Sequence, residues 1–188
     1  MNLTVDWVQE VMADKGYAFF TKGEYNLNII GVRDASRITN GFDDTMCCLH
    51  RAGGVWQSWF WPCTTDPGSV YLDKPLNDAG VAILVPGQYR GAFRLGYHKG
   101  QYEALVQVKP LPVYRGAYDP SSVETGMFGI NIHRAGSAST QVDKWSAGCQ
   151  VFARRADFDA FMRLVHKAIP LWGRTFTYTL LERKDFGE

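Results

Sequence analysis

The chain has 188 residues, 46% hydrophobic and 21% charged, with a formal net charge of +1. That length suits one domain, 1–188, with enough chain to bury a core. The balanced charge gives no electrostatic case for nucleic acid, and no apolar run reaches the length of a membrane span.

Nineteen glycines, 14% aromatic residues and many short alternating runs point to a fold dominated by strands. The opening residues MNLTVDWVQE lack the basic and apolar regions of a signal peptide, so synthesis and folding in the cytoplasm are expected. Residues 5–15 read as a short helix, with Thr4 as N-cap, Val5, Val8 and Met12 on one face and Gly16 ending it. Residues 17–20 and 25–32 read as strands around a Lys22-Gly23 turn. Asn40-Gly41 marks a turn, and residues 45–50 and 55–61 form a hairpin joined by Arg51-Ala52-Gly53-Gly54.

The segment Thr64-Thr65-Asp66-Pro67-Gly68 is a Pro-Gly turn. Residues 81–85, 91–97 and 102–109 continue the strand pattern, punctuated by Pro86-Gly87, Lys99-Gly100 and Pro110 to Pro112. Later, Phe158, Phe161, Met162, Val165 and Ile169 recur at helical spacing, and Pro170 and Gly173 stop that helix. Residues 175–181 are a final strand. These elements predict a β-dominated α+β domain, with helices near both termini packed on a curved sheet or β-sandwich.

The chemistry concentrates between Gly126 and Cys149. Read with period two, Phe128, Ile130 and Ile132 form a core face, while Gly129, Asn131 and His133 line the other. Sixteen positions after His133 (149 − 133), Ser146-Ala147-Gly148 delivers Cys149. Glycine beside a nucleophile permits a sharp turn and presents N–H groups to a reacting carbonyl. A strand-borne imidazole and a thiol supplied this way can pair as base and nucleophile.

Gly129-Ile130-Asn131-Ile132-His133 followed by Ser146-Ala147-Gly148-Cys149 resembles the His…Ser-His-Gly-Cys signature of the L,D-transpeptidase catalytic domain, in an atypical, phage-like branch. The Thr64 to Gly68 segment is similar to that family's Thr-Pro-x-Gly, extending the resemblance over roughly residues 25–155. Ala147 stands where the family has a second His, Val151 and Gln150 stand near its usual Arg or Asn, and the His-to-Cys loop is short. The resemblance implies a cysteine acyl-transfer enzyme acting on peptidoglycan stem peptides. The Cys149 thiolate would attack, His133 would move the proton, and the Arg134 carbonyl would orient the imidazole. Gly148 and Cys149 N–H groups would hold the oxyanion and Ser146 would order the turn. Gly129, Asn131 and Gln150 would meet substrate. Transpeptidation and hydrolysis both remain open.

No cofactor or metal is expected. Cys47, Cys48, His50 and Cys63 lack zinc spacing, because neighbours on a strand face opposite ways. The four cysteines are expected as reduced thiols. Trp59 and Trp61 share one strand face and Trp56 lies on the other, so part of a possible sugar platform belongs to the core. Arg134, Lys144, Arg154 and Arg155 flank the candidate site and would meet stem carboxylates or solubilise loops. A wall enzyme without a leader implies a phage-encoded protein, or else a secreted effector. A rival reading is a non-catalytic wall-binding or virion module that keeps the fold, and the oligomeric state stays open.

Overall fold

The structure, a computed structural model, describes residues 3–36 and 40–187. The Thr4 hydroxyl accepts the Trp7 N–H at 3.2 Å and opens α1 (Val5–Asp14), which buries Val8, Val11 and Met12. Gly16 then reverses the chain at φ +68. Residues 17–20, expected as a strand, run without a ladder. The Gln88 amide bonds the Ala18 N–H and C=O at 2.9 and 2.8 Å. The Asn28 amide does the same for Phe20 at 2.7 and 3.0 Å. Two side chains therefore satisfy the backbone groups that a neighbouring strand would have taken.

The next strands are β1 (Asn28–Arg33) and the hairpin of β2 (Asp44–Ala52) and β3 (Val55–Thr64). The hairpin is tighter than expected: Arg51 and Ala52 pair within the ladder, and only Gly53 and Gly54, both at positive φ, make the turn. A short helix α2 (Ser69–Asp73), which the sequence pattern does not reveal, leads to β4 (Ala82–Leu84). The long hairpin of β5 (Gly87–His98) and β6 (Tyr102–Gln107) turns at Lys99-Gly100. β7 (Leu111–Arg115) forms despite its proline, whose carbonyl accepts the Val85 N–H at 3.1 Å. β8 (Glu124–Gly126), β9 (Ile132–Arg134) and β10 (Gln150–Phe152) are three residues each.

α3 (Arg155–Trp172) buries Phe158, Phe161, Met162 and Val165, as its spacing predicts. Pro170 does not stop it. A proline in the last turn forfeits one hydrogen bond, and the helix runs on to Gly173 at φ +85. β11 (Thr175–Glu182) completes the set.

The β-dominated α+β class holds, but the main sheet is neither an open curve nor a sandwich. Eight strands close into a barrel in the order β1-β11-β5-β6-β9-β10-β3-β2, because β1 pairs with β11 on one side and β2 on the other. β4, β7 and β8 form a separate three-stranded sheet. Alternation along β1 and β2 sends Ile29, Met46 and Cys48 into the barrel core beside Phe161 of α3. Ile30, Cys47 and Leu49 pack outwards under α1 instead. No helix among the described residues is long and apolar enough to cross a membrane.

A buried charge cluster fixes the loop after β3. Arg33, with no exposed surface, donates to the Thr65 hydroxyl, the Thr65 carbonyl and the Leu84 carbonyl at 2.8–3.0 Å. It also meets Asp66 at 3.1 Å, and Tyr118 donates to the same carboxylate. Asp44 accepts the Thr65 N–H, the Thr65 hydroxyl and the Asp34 N–H. The loop so held carries Gly68, whose N–H donates to the Ser146 carbonyl at 2.9 Å. A Cβ at Gly68 would lie 2.1 Å from the Asp143 carbonyl oxygen, so glycine is what lets these two loops touch.

Candidate active site

The site sits on the barrel's thinnest seam. β9 and β10 are parallel, with Val151 opposite His133, and β9 meets β6 at the single pair Leu105 and Ile132. The strand expected over 128–133 is confined to its end. Upstream, the Gln107 amide oxygen accepts the Phe128 and Ile130 N–H groups at 3.1 and 3.0 Å, replacing ladder bonds. The predicted alternation survives in part. Ile130 and Ile132 are core and Phe128 packs against that core, while Gly129, Asn131 and His133 line a cavity that Phe128 and Ile130 also border.

Ser146 braces the cysteine turn, accepting the Gly148 N–H at 3.1 Å and donating to the Cys149 carbonyl at 2.9 Å. Gly148 has φ +129, and a Cβ there would lie 1.9 Å from the Ala82 carbonyl oxygen. Only glycine passes this point. Cys149 is half-buried, its Sγ 3.4 Å from both the Gly129 carbonyl oxygen and the Asn131 N–H.

Two expectations need correcting here. The Gly148 N–H is already bonded to Ser146, so among the described residues the Cys149 N–H is the unbonded donor of the pair. Gln150 does not reach the cavity, because alternation after Cys149 turns it into the barrel. There it donates to the Gly148 carbonyl at 3.3 Å and accepts from the Tyr178 hydroxyl at 2.8 Å. Ser146 orders the turn and touches no open space.

His133 is held as its neighbours dictate. Its Nδ1 lies 3.0 Å from the Arg134 carbonyl and 3.2 Å from the Tyr102 hydroxyl, which also donates to that carbonyl. A carbonyl only accepts, so Nδ1 carries the proton and Nε2 keeps its lone pair. His98 stacks on His133 with ring centroids 3.9 Å apart and planes at 19°. The Asn131 amide lies 3.1 Å from His98 Nδ1 and can only donate to it, which places the His98 proton on Nε2.

Burial, and then the His98 imidazole beside it, lower the His133 pKa to about 3. Burial and the Lys99 charge lower that of His98 to about 4. Burial raises the Cys149 thiol, opposed by the Asn131 N–H and the Lys99 charge. At neutral pH both groups are uncharged, a thiol and an imidazole.

Both residues open on one cavity of about 290 Å³, together with Asn131, His98, Lys99 and Trp145. No family model, curated protein or solved structure matches this chain. The candidate site therefore stands on its own geometry.

Among the expected cations, Lys144 lines the cavity. The Arg134 guanidinium lies over the Tyr102 ring at 4.4 Å, and Arg154 and Arg155 pair with Asp157 and Asp159. His98, Lys99 and Tyr102 escape sequence reasoning, since they read as the two ends of a turn. Cys47, Cys48 and Cys63 are buried unpaired thiols, each pushed up in pKa by burial, and no metal-holding cluster occurs among the described residues. Trp61 is core and stacks on half-exposed Trp59, while Trp56 packs against Phe19.

Proposed function

We propose that this chain is a cysteine-dependent acyl-transfer enzyme of the L,D-transpeptidase type, acting on peptidoglycan stem peptides. The observation that carries the reading is the shared cavity of Cys149 and His133, with His133 Nδ1 tied to the Arg134 carbonyl. That bond leaves Nε2 as the base.

The pair starts neutral, so proton transfer accompanies attack instead of preceding it. Cys149 Sγ bonds to the peptide carbonyl carbon as its proton passes to His133 Nε2. The Cys149 N–H, unbonded among the described residues, would serve as a backbone donor for the developing oxyanion. Collapse breaks the C–N bond, and the leaving amine takes the proton from His133, leaving a thioester. An amine then restores an amide and the thiol, or water releases an acid and the thiol.

The test combines labelling and turnover. Cys149 should react with chloroacetamide far faster than Cys47, Cys48 or Cys63, and mass spectrometry should show an acyl-enzyme from a synthetic stem peptide that Cys149→Ala does not form. Uniformly slow labelling with no turnover would hand the case to a non-catalytic wall-binding or virion module. The features favouring that rival are Ala147, Val151 and the inward-turned Gln150. Delivery by phage lysis or a virion, or by secretion as an effector, belongs to the same proposal. The chain directed to a bacterial periplasm should damage the wall, and kept in the cytoplasm it should not.

A further inference from the structure

Past His133 the cavity continues into a second hollow of about 420 Å³ that does not include Cys149. Tyr71, Gln101 and Trp145 line it with Lys99, Lys144 and the two stacked imidazoles. Among the described residues, no carboxylate lines either hollow, and neither lysine has an acidic partner. Arg33, Arg115, Arg154, Arg155 and Arg183, by contrast, all pair with carboxylates.

Both lysines are placed by their surroundings. Lys99 sits at φ +49 in the tight turn closed by the Gln101 N–H to His98 carbonyl bond at 2.9 Å. Lys144 lies over the Trp145 ring at 5.9 Å. Lys99 lines the first cavity together with Cys149, His98 and His133, and the second with both imidazoles. The Gln101 side-chain amide, Tyr71 hydroxyl and Trp145 indole add neutral side-chain donors to the lining. A chamber lined by neutral donors and two cations, with no anion, is complementary to a carboxylate.

The reaction says whose carboxylate. His133 gives its proton to the leaving amine and takes one from the attacking amine, so the amine reactant lies on the imidazole side. We infer that the second hollow is a carboxylate subsite in which Lys99 and Lys144 hold the free α-carboxylate of an amino acid, leaving or attacking through its amine. The identity of that amine rests on the acyl-transfer reading; the anion site does not.

Iodoacetate and iodoacetamide separate the two ideas, since each alkylates a thiol by displacing iodide and they differ in the carboxylate. The ratio of their Cys149 rates should fall about tenfold in Lys99→Gln/Lys144→Gln, as loss of charge-assisted bonds implies. Lys22→Gln, which removes the same charge outside both hollows, should leave the ratio alone. An unchanged ratio in the double variant overturns the subsite. In a second arm, wild type should turn over a stem peptide with a free C-terminus about tenfold better than its C-terminal amide, a preference the double variant loses. Equal turnover of acid and amide by wild type overturns the subsite and leaves acyl transfer standing. A collapsed alkylation ratio with neither peptide turned over upholds the subsite and counts against acyl transfer.

Discussion

Arg33 and His133 are both almost wholly buried, and their surroundings use their polar atoms in opposite ways. Around Arg33 the donors and acceptors are spent on one another, tying β1, the 64–68 loop and β4 together. Around His133 one nitrogen is tied down, while the other belongs to a ring that lines an open cavity also lined by a thiol, two lysines and a second imidazole. The closed network fixes a shape. The open one retains groups for a ligand to use.

The comparison breaks most sharply at Arg33. Arg33→Met should cost about 3–5 kcal/mol, because Asp44 and Asp66 would stay buried without their cation. Denaturant unfolding checks this, and a loss near zero would mean the cluster is not scaffold. Next comes the pair Ile132→Ala and Cys149→Ala. The first should cost about 2–5 kcal/mol as a core truncation. The second should stay within about 1 kcal/mol while abolishing acylation. Equal losses would return Cys149 to the core.

Acidity sharpens the contrast. Burial, and then Asp66, hold Asp44 well above the usual carboxylate range, so its contribution to stability is lost as pH rises through that raised value. His98 and His133 are lowered to about 4 and about 3, so the unfolded chain binds their protons first. Their contribution is full above the unfolded value near 6.5 and is lost as pH falls towards 3. The two clusters thus tilt stability in opposite directions across the same acidic window. Melting temperatures from pH 4 to 7 should fall less steeply on acidification in His98→Phe and more steeply in Asp44→Asn. The same slope in all three proteins would show that these groups do not set it. The smallest effect belongs to Arg154→Ala and Arg155→Ala, exposed pairs each expected to cost less than about 1 kcal/mol and to leave Cys149 labelling unchanged.

What the sequence announces is what local pattern can carry. The Thr4 cap, the face of α3 and the core positions Ile130 and Ile132 all appear where their spacing puts them, and the hairpin forms with a turn two residues shorter than its Arg51 to Gly54 signal. Residues 17–20 and 128–131 have strand-like patterns without ladders, because Gln88, Asn28 and Gln107 supply amides from elsewhere in the chain. Cys149, His133 and the Arg134 carbonyl follow from a motif. His98, Lys99 and Tyr102 do not, since their nearness to His133 depends on the β5–β6 hairpin lying beside β9 across the barrel. The one local trace is a His and a Tyr bracketing Lys99-Gly100-Gln101, which is common in turns that do nothing.

The pairing of β1 with β11 governs how the protein can be made. On a ribosome, β1 waits through nine further strands before its parallel neighbour is synthesised, while β5 waits for the same strand from the other side. Until β11 arrives, both carry a bare edge, the kind of surface on which unfinished chains adhere to one another. Such long-range closure is also slow. Chains stalled before residue 175 should therefore collect in aggregates or on chaperones, and release of the full-length chain should precede the first detectable reactivity at Cys149.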